Sequence, residues 1–496
     1  MKKIKYIAVF VLASIGFTSC TDAIEITQVG ILNSDAAFIT VGDLQLGLLG
    51  AYDNFDHTQQ IQFNSVFTDE ISVGADSGGQ GTANGDTAFV LNAGSAFPAA
   101  LWLNNNAALN SVNRVIAGAE GIEIGEGEQA QYDDILGQSY ALRAYAHFEL
   151  LSYLSADYTD DSTLATILLD FVPQTEQKLP RNTNGEIYAS ITSDLNLANG
   201  LLSNQADAVF VSRDFVKALR ARMAAYRQDY STANTLATEL LGAYGIANQT
   251  QYTDMYLDLD NTEIIFKLSR TIGDSYDGQG ATGSAFAGGW AGANYAFVNA
   301  TINGSPYFEM GRAVFNAFST DDVRYSVNVH PTSIIDPNYQ TSSNPLGTDV
   351  LVIGKYPGKD GQNLMNDLKI FKSSEMLLIA AEARASMNDL VGAEALIDQL
   401  RDARFGSDQP APNFASTQEA LAAVMDERRL ELLFEGHRYK DLKRLGARAG
   451  RGIDRDPIDC IALNACDLAL SSNLFTVPIP IVELDANDNI QQNPGY

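Results

Sequence analysis

Two stretches of this chain repeat each other, and the repeat limits the folds open to it. ALRARMAAYRQDYSTANTLATELL (218–241) and LIAAEARASMNDLVGAEALIDQLR (378–401) align at an offset of 160 residues. Ala221 meets Ala381, Ala225 meets Ala385, Asp229 meets Asp389, Ala233 meets Ala393, Leu236 meets Leu396 and Leu240 meets Leu400. Apolar and small residues recur at helical spacing on both sides of the aspartate. Alanines twelve positions apart, Ala221 with Ala233 and Ala381 with Ala393, let two helices approach closely. The aspartate falls in the turn between them. Residues 214–241 and 373–404 are therefore each predicted to form a helix hairpin.

Hairpins of this kind are of the tetratricopeptide type. A long insertion separates the copies, so the chain is not a regular solenoid. The expected fold is mainly α, a single domain over 41–496 built on helix pairs and carrying irregular excursions. Residues 132–155 (YDDILGQSYALRAYAHFELLSYLS) are apolar on most faces and predict a buried helix, and 185–202 predict an amphipathic one. An apolar content of 46% suffices for a large core. The excursions are 69–98 (DEISVGADSGGQGTANGDTAFVLNAGSAFP) and 273–297 (GDSYDGQGATGSAFAGGWAGANYAF). Loops this long are functional or disordered, and their interleaved aromatics argue against pure disorder.

The first residues bear on location. Lys2, Lys3 and Lys5 precede an apolar run over 6–17, then Thr18, Ser19 and Cys20. This is the layout of an export signal, too short to cross a bilayer as a stable helix. A cysteine directly after the small residues fits a bacterial lipoprotein. Residues 1–19 would be the cleaved signal, Cys20 the lipidated anchor and 20–40 a tether. An ordinary signal with a chance cysteine is the other reading. Acidic side chains number 61 against 32 basic, net −29, and loss of the three lysines in 1–19 takes this to −32. Such a surface disfavours nucleic acid and anionic lipid. Cys460 and Cys466 flank IALNA, and in an exported chain they are expected to form a disulfide. The alternatives are free thiols or metal ligands, for which His57, His147, His330 and His437 are scattered.

Catalytic patterns are missing: HExxH, GxSxG, GxxxxGK[ST] and CxxC do not occur. Asp69 and Glu70 are adjacent, poor geometry for a paired-carboxylate glycosidase. Asp485, Asn487 and Asn489 echo a calcium loop without its glycine and distal glutamate. Asp454, Asp456 and Asp459 are a weak candidate for a structural cation. No enzyme activity, cofactor or metal is expected.

ERRLELLFEGHRYKDLKRLG (427–446) and the ending VPIPIVELDANDNIQQNPGY (477–496) resemble the C-terminal motifs of the RagB/SusD family. LWLNNNAALNSVNRVI (101–116), LRAYAHFELLSYL (142–154), LPRNTNGEIYASITSDLNLANGLL (179–202) and DLKIFKSSEMLLIAAEA (367–383) fit the same order, with Lys372 where arginine is commoner. The resemblance runs from about residue 40 to the end. It implies an outer-membrane lipoprotein facing the cell exterior. It also implies a SusC-like TonB-dependent transporter as partner and an oligosaccharide, or alternatively a peptide, as cargo; a surface glycosidase is a rival reading that the resemblance does not support. Within 427–446, Glu435–Arg438 and His437–Asp441 are expected to be helical i,i+3 and i,i+4 pairs on a half-buried helix, not an acid/base site.

Sugar rings stack on flat aromatic faces while their hydroxyls bond polar side chains. Trp102 lies in a helical segment and is expected in the core. Trp290, among glycines, has few sequence neighbours to pack on and is the expected ligand platform, with Tyr276, Phe286, Asn294 and Tyr295 as helpers. Asp76, Gln80, Asn84 and Asp86 are the polar candidates of the other excursion.

Overall fold

Residues 38–74, 85–174, 176–203, 207–274, 289–295 and 306–496 are described by the computed structural model. In chain order they form α1 (Val41–Asp53), α2 (Thr58–Val66), strand β1 (Ile71–Val73), α3 (Ala96–Ala119), α4 (Gln129–Leu154), α5 (Asn184–Leu201), α6 (Arg213–Tyr226), α7 (Tyr230–Ala243) and α8 (Gln249–Tyr256). After these come β2 (Ile264–Leu268), β3 (Phe308–Met310), β4 (Leu368–Lys372), α9 (Ser373–Ser386), α10 (Leu390–Phe405), α11 (Thr417–Glu431) and α12 (Pro457–Leu463), with shorter helical turns between.

The helices begin where local chemistry satisfies their first N–H groups. Thr40 with Asp43, and Thr183 with Glu186, form capping boxes on α1 and α5. Ser212, Asp229, Asp389 and Ser416 accept from the N–H of Phe215, Thr232, Gly392 and Glu419. The repeated hairpins are α6–α7 and α9–α10. Each turns through one left-handed residue, Gln228 at φ 60° or Asn388 at φ 65°, just before the capping aspartate. The matched alanines are buried, and α9 packs on α6, α7, α10 and α11. Every residue from Ser373 to Ala383 is buried, so α9 is the central helix. Trp102 is buried on α3, as expected.

Two short antiparallel ribbons tie distant parts of the chain together. β1 pairs with β3, setting Ile71 opposite Met310. β2 pairs with β4, setting Ile264 opposite Lys372. The first excursion therefore leaves from one ribbon, and the second leaves β2 and returns to β3.

The signature segment corrects the expectation of one continuous helix. α11 stops at Glu431, and the chain turns through Phe434 (φ 61°) and Gly436 (φ 81°). A short turn, Arg438–Asp441, and a π-helical turn, Leu442–Gly446, follow. With the helix broken, the expected side-chain pairs do not form. Glu435 binds Lys355 at 2.8 Å and Lys372 at 2.9 Å, and Arg438 forks onto Asp69 at 2.8 and 2.7 Å. Asp441 binds Arg428 and Arg444, both at 2.8 Å. Burial, with Arg222 nearby, holds the His437 imidazole well below its usual range. The segment is an ion-paired core staple joining both halves of the chain.

Cys460, in α12, is joined to Cys466 by a disulfide, with Cα atoms 4.4 Å apart. The nearby aspartates are taken by protein groups: Asp454 by Arg429, Asp456 by the Tyr339 hydroxyl and Asp459 by Arg312. The Asn487 amide bridges to the Leu179 carbonyl.

Candidate ligand-binding site

The described ends of the two excursions converge. Gly74 closes the first where the Tyr307 carbonyl accepts its N–H at 3.1 Å. A Cβ at Gly74 would overlap the Pro306 carbonyl, so only glycine allows this approach. Tyr307 in turn donates its N–H to the Tyr295 carbonyl at 2.9 Å, bringing the second excursion to the same place. Asp86 stands half-buried where the first excursion resumes, and burial raises its carboxyl to about 6.

Segment 289–295 is clamped onto the scaffold. Buried Arg270 donates to the carbonyls of Gly289 (2.9 Å) and Phe55 (3.1 Å), while its own N–H goes to Asp367 (2.9 Å). Lys267, at 3.0 Å, and Lys359 pair with the same Asp367. Asn294 donates to the Thr58 carbonyl at 3.0 Å. Gly292 passes so close to Leu364 that a Cβ would sit 2.8 Å from that side chain.

Trp290, the expected ligand platform, lies in this clamped segment. The residue is only 7% exposed, clusters with Ala293 and Met365, and donates its indole N–H to the Thr271 carbonyl at 3.3 Å. Met365 comes from a distant part of the chain, which local sequence does not reveal. Tyr295 is likewise buried, stacked on Tyr356 with ring centres 6.4 Å apart and touching Phe434 at 5.1 Å. Trp290, Asn294 and Tyr295 are all buried at the loop root. Tyr276, Phe286, Asp76, Gln80 and Asn84 lie outside the described residues, as does Cys20. Trp290→Ala is expected to cost about 3 kcal/mol, the low end for a buried tryptophan because its cluster is small. A melting curve checks this; an unchanged melt would return Trp290 to the list of ligand residues.

Beneath the root sits a polar set the sequence reading did not single out. The Ser65 hydroxyl lies 3.0 Å from the Ile61 carbonyl, 2.8 Å from Glu70 Oε2 and 2.9 Å from the Tyr295 hydroxyl. A serine has one proton and two acceptor sites. Its proton is shared between the Glu70 carboxyl and the Ile61 carbonyl, and the Tyr295 hydroxyl can donate to it. Burial pushes the Glu70 carboxyl up to about 7, Ser65 and Arg438 opposing and Asp69 reinforcing. Asp69 is the opposite case. Burial would raise it, but Arg429 and Arg438 outweigh this and hold it below the usual range. The adjacent carboxylates thus serve separate partners.

A carboxyl raised from 4.5 to about 7 on folding binds its proton more tightly in the native state. Its contribution is full below pH 4.5 and is lost as pH rises through 7. Between those limits it should remove on the order of 3 kcal/mol. Relative to wild type, Glu70→Gln should gain stability as pH rises from 4.5 to 7.5; parallel melting-temperature profiles would refute the assignment.

Residues 224–496 match the family model described as SusD family. The chain belongs to the SusD family. Residues 98–227 match a second model, described as starch-binding associating with outer membrane. SusD-like protein P2 of Formosa agariphila is 24% identical, covering 99% of this chain and 100% of its own. SusD-like protein P38 of the same organism is 24% identical over 90% of this chain and 92% of its own. Among solved structures, a SusD superfamily protein from Bacteroides thetaiotaomicron superposes with TM-score 0.73 at 20% identity, covering 92% of this chain and 100% of its own. Surface glycan-binding protein A from Bacteroides fluxus gives 0.68 at 20% identity, with the same coverage. The mainly helical, tetratricopeptide-like scaffold is the SusD fold. No described helix is long and apolar enough to cross a membrane.

Proposed function

We propose that this SusD-family protein is a cell-surface lipoprotein, anchored through Cys20, that captures oligosaccharides. It delivers them to a SusC-like TonB-dependent outer-membrane transporter and catalyses no reaction on them. The observation that carries this reading is the convergence of both excursions at one place on a rigid scaffold, where Gly74, Tyr295 and Tyr307 are hydrogen-bonded neighbours. Loops held by a rigid frame are where binding residues concentrate. The description of the 98–227 match as starch-binding, and the likeness to a surface glycan-binding protein, support carbohydrate as the ligand. Tyr276 and Phe286 are the proposed stacking groups and Asp76 and Asn84 the proposed polar contacts. Trp290, Asn294 and Tyr295 are proposed to hold the root of the second excursion.

Calorimetric titration with neutral oligosaccharides, malto-oligosaccharides among them, tests the reading. The Tyr276→Ala, Phe286→Ala double variant should bind at least tenfold more weakly, from about 1–3 kcal/mol of lost stacking, with an unchanged melt. Undiminished binding would move the site elsewhere.

A further inference from the structure

We propose that the protein carries a second ligand site, on the groove between α5 and the α6–α7 hairpin, and that this site takes a sugar bearing a carboxylate. The groove encloses about 750 Å³ and is lined by no residue of the loop roots. That size is within the range of small-molecule sites, about 300–1,000 Å³.

Arg220 carries the argument. It lines the groove half-buried, and its guanidinium donates to a neutral group, Asn196 Oδ1, at 2.7 Å. No carboxylate among the described residues lies within ion-pair distance of it. Burial, with no anion to offset it, lowers its pKa from the ordinary arginine value. An arginine partly stripped of water and left without an anion is costly. Among the described residues Arg181, Arg270 and Arg455 also lack a carboxylate, but each is held by several backbone carbonyls, whereas the Arg220 guanidinium meets one side-chain amide oxygen. Its neighbours on the same helix are met. Arg222 is forked onto Glu375 at 2.8 and 2.7 Å, and Lys217 pairs with Glu239 at 3.0 Å. Arg227, also in the groove, pairs with Asp161 at 2.9 Å and lies 4.3 Å from the Tyr188 ring centre. Arg220 therefore offers the one groove guanidinium without a carboxylate, and its planar fork matches a carboxylate.

The rest of the groove selects among anions. Met223 and Leu236 give an apolar floor for the C–H face of a ring. Thr192, Gln228 and Thr232 supply hydroxyl and amide groups for sugar hydroxyls. Asp229 on the rim can accept from a hydroxyl but repels further negative charge. One carboxylate set among hydroxyls fits this pattern, and a densely acidic peptide does not. A uronic acid residue is the chemical class.

The test is calorimetric titration of the full chain with glucuronosyl-xylose, its methyl ester and a triglutamate peptide. Wild type should bind the free acid, at least tenfold more weakly as the ester, and more weakly as salt is raised. Arg220→Gln should lose at least tenfold in affinity for the acid while melting normally and keeping its affinity for neutral oligosaccharide. Thr192→Glu, which places a negative charge on the exposed rim, should weaken the acid to the same degree. No binding by wild type, equal binding of acid and ester, or an unaffected Arg220→Gln would each overturn the proposal. Tighter binding of triglutamate would reassign the groove to peptide. Loss of acid binding in the Tyr276→Ala, Phe286→Ala variant, with Arg220→Gln unaffected, would put the acidic sugar at the loop roots instead.

Discussion

Arg404→Ala is expected to lower stability by about 3–5 kcal/mol, the cost of leaving buried carboxylates without their cation. Arg404 is 0% exposed. It forks onto Glu431 at 2.9 and 2.8 Å, reaches Glu263 at 2.7 Å, donates to the Ala247 carbonyl at 2.9 Å and lies 4.2 Å from the Tyr252 ring centre. It thereby fastens α10 to α11, to the strand entering the β2–β4 ribbon and to the start of α8. Removing it strands Glu263 in the core and strips Glu431 of its shortest ion pair. Among the described residues Glu431 keeps Arg324 at 3.6 Å and Lys372 at 4.0 Å. The urea midpoint should fall sharply. Adding Glu263→Gln should recover part of the loss, because a neutral amide is cheaper to bury than an unpaired carboxylate. Arg451→Ala is the control. Its pair with Asp426 is 2.7 Å long but 43% and 51% exposed, and the change should cost less than about 1 kcal/mol. Equal effects at the two arginines would refute the view that burial sets these energies.

Trp102→Ala should cost about 4 kcal/mol, within the usual range for a core tryptophan. Trp102 is 4% exposed on α3, the helix packed against α1, α2 and α4. Its loss would open a cavity lined by rigid helices that cannot close around it. Trp102→Phe should recover much of the loss by filling most of that volume. Thermal unfolding measures both. A Trp102→Ala melt no lower than that of Trp290→Ala would mean that α3 is not the core element described.

The buried ion pairs also explain the surface. Arg222, Arg312, Arg324, Arg404, Lys355, Lys372 and Lys440 are all buried against carboxylates. Cations are scarce in this chain, and many of these are spent inside. The exterior is left acidic.

What could be read from the sequence was local. Apolar spacing and capping residues lie within a few positions of each other, so the α6–α7 and α9–α10 hairpins, their aspartate turns, α4 and α5 were legible, and Trp102 with them. The motif at 427–446 was legible as a family signature. Its pairing was not, because Phe434 and Gly436 turn the chain and Arg438 finds Asp69 from the far end of the sequence. The β1–β3 and β2–β4 ribbons join strands too short to show a period and too far apart to show a hairpin. Trp290 looked bare because its packing partner, Met365, arrives through the tertiary fold. Glu70 could be seen as one of two adjacent acids, but only burial beside Ser65 and Tyr295 decides that it holds its proton near neutrality. Helix formation is governed by neighbours in sequence, and so the sequence by itself determined the scaffold. Burial, desolvation and ion pairing are governed by neighbours in space, and so only the tertiary structure decided which aromatic and charged groups are buried and what each of them pairs with.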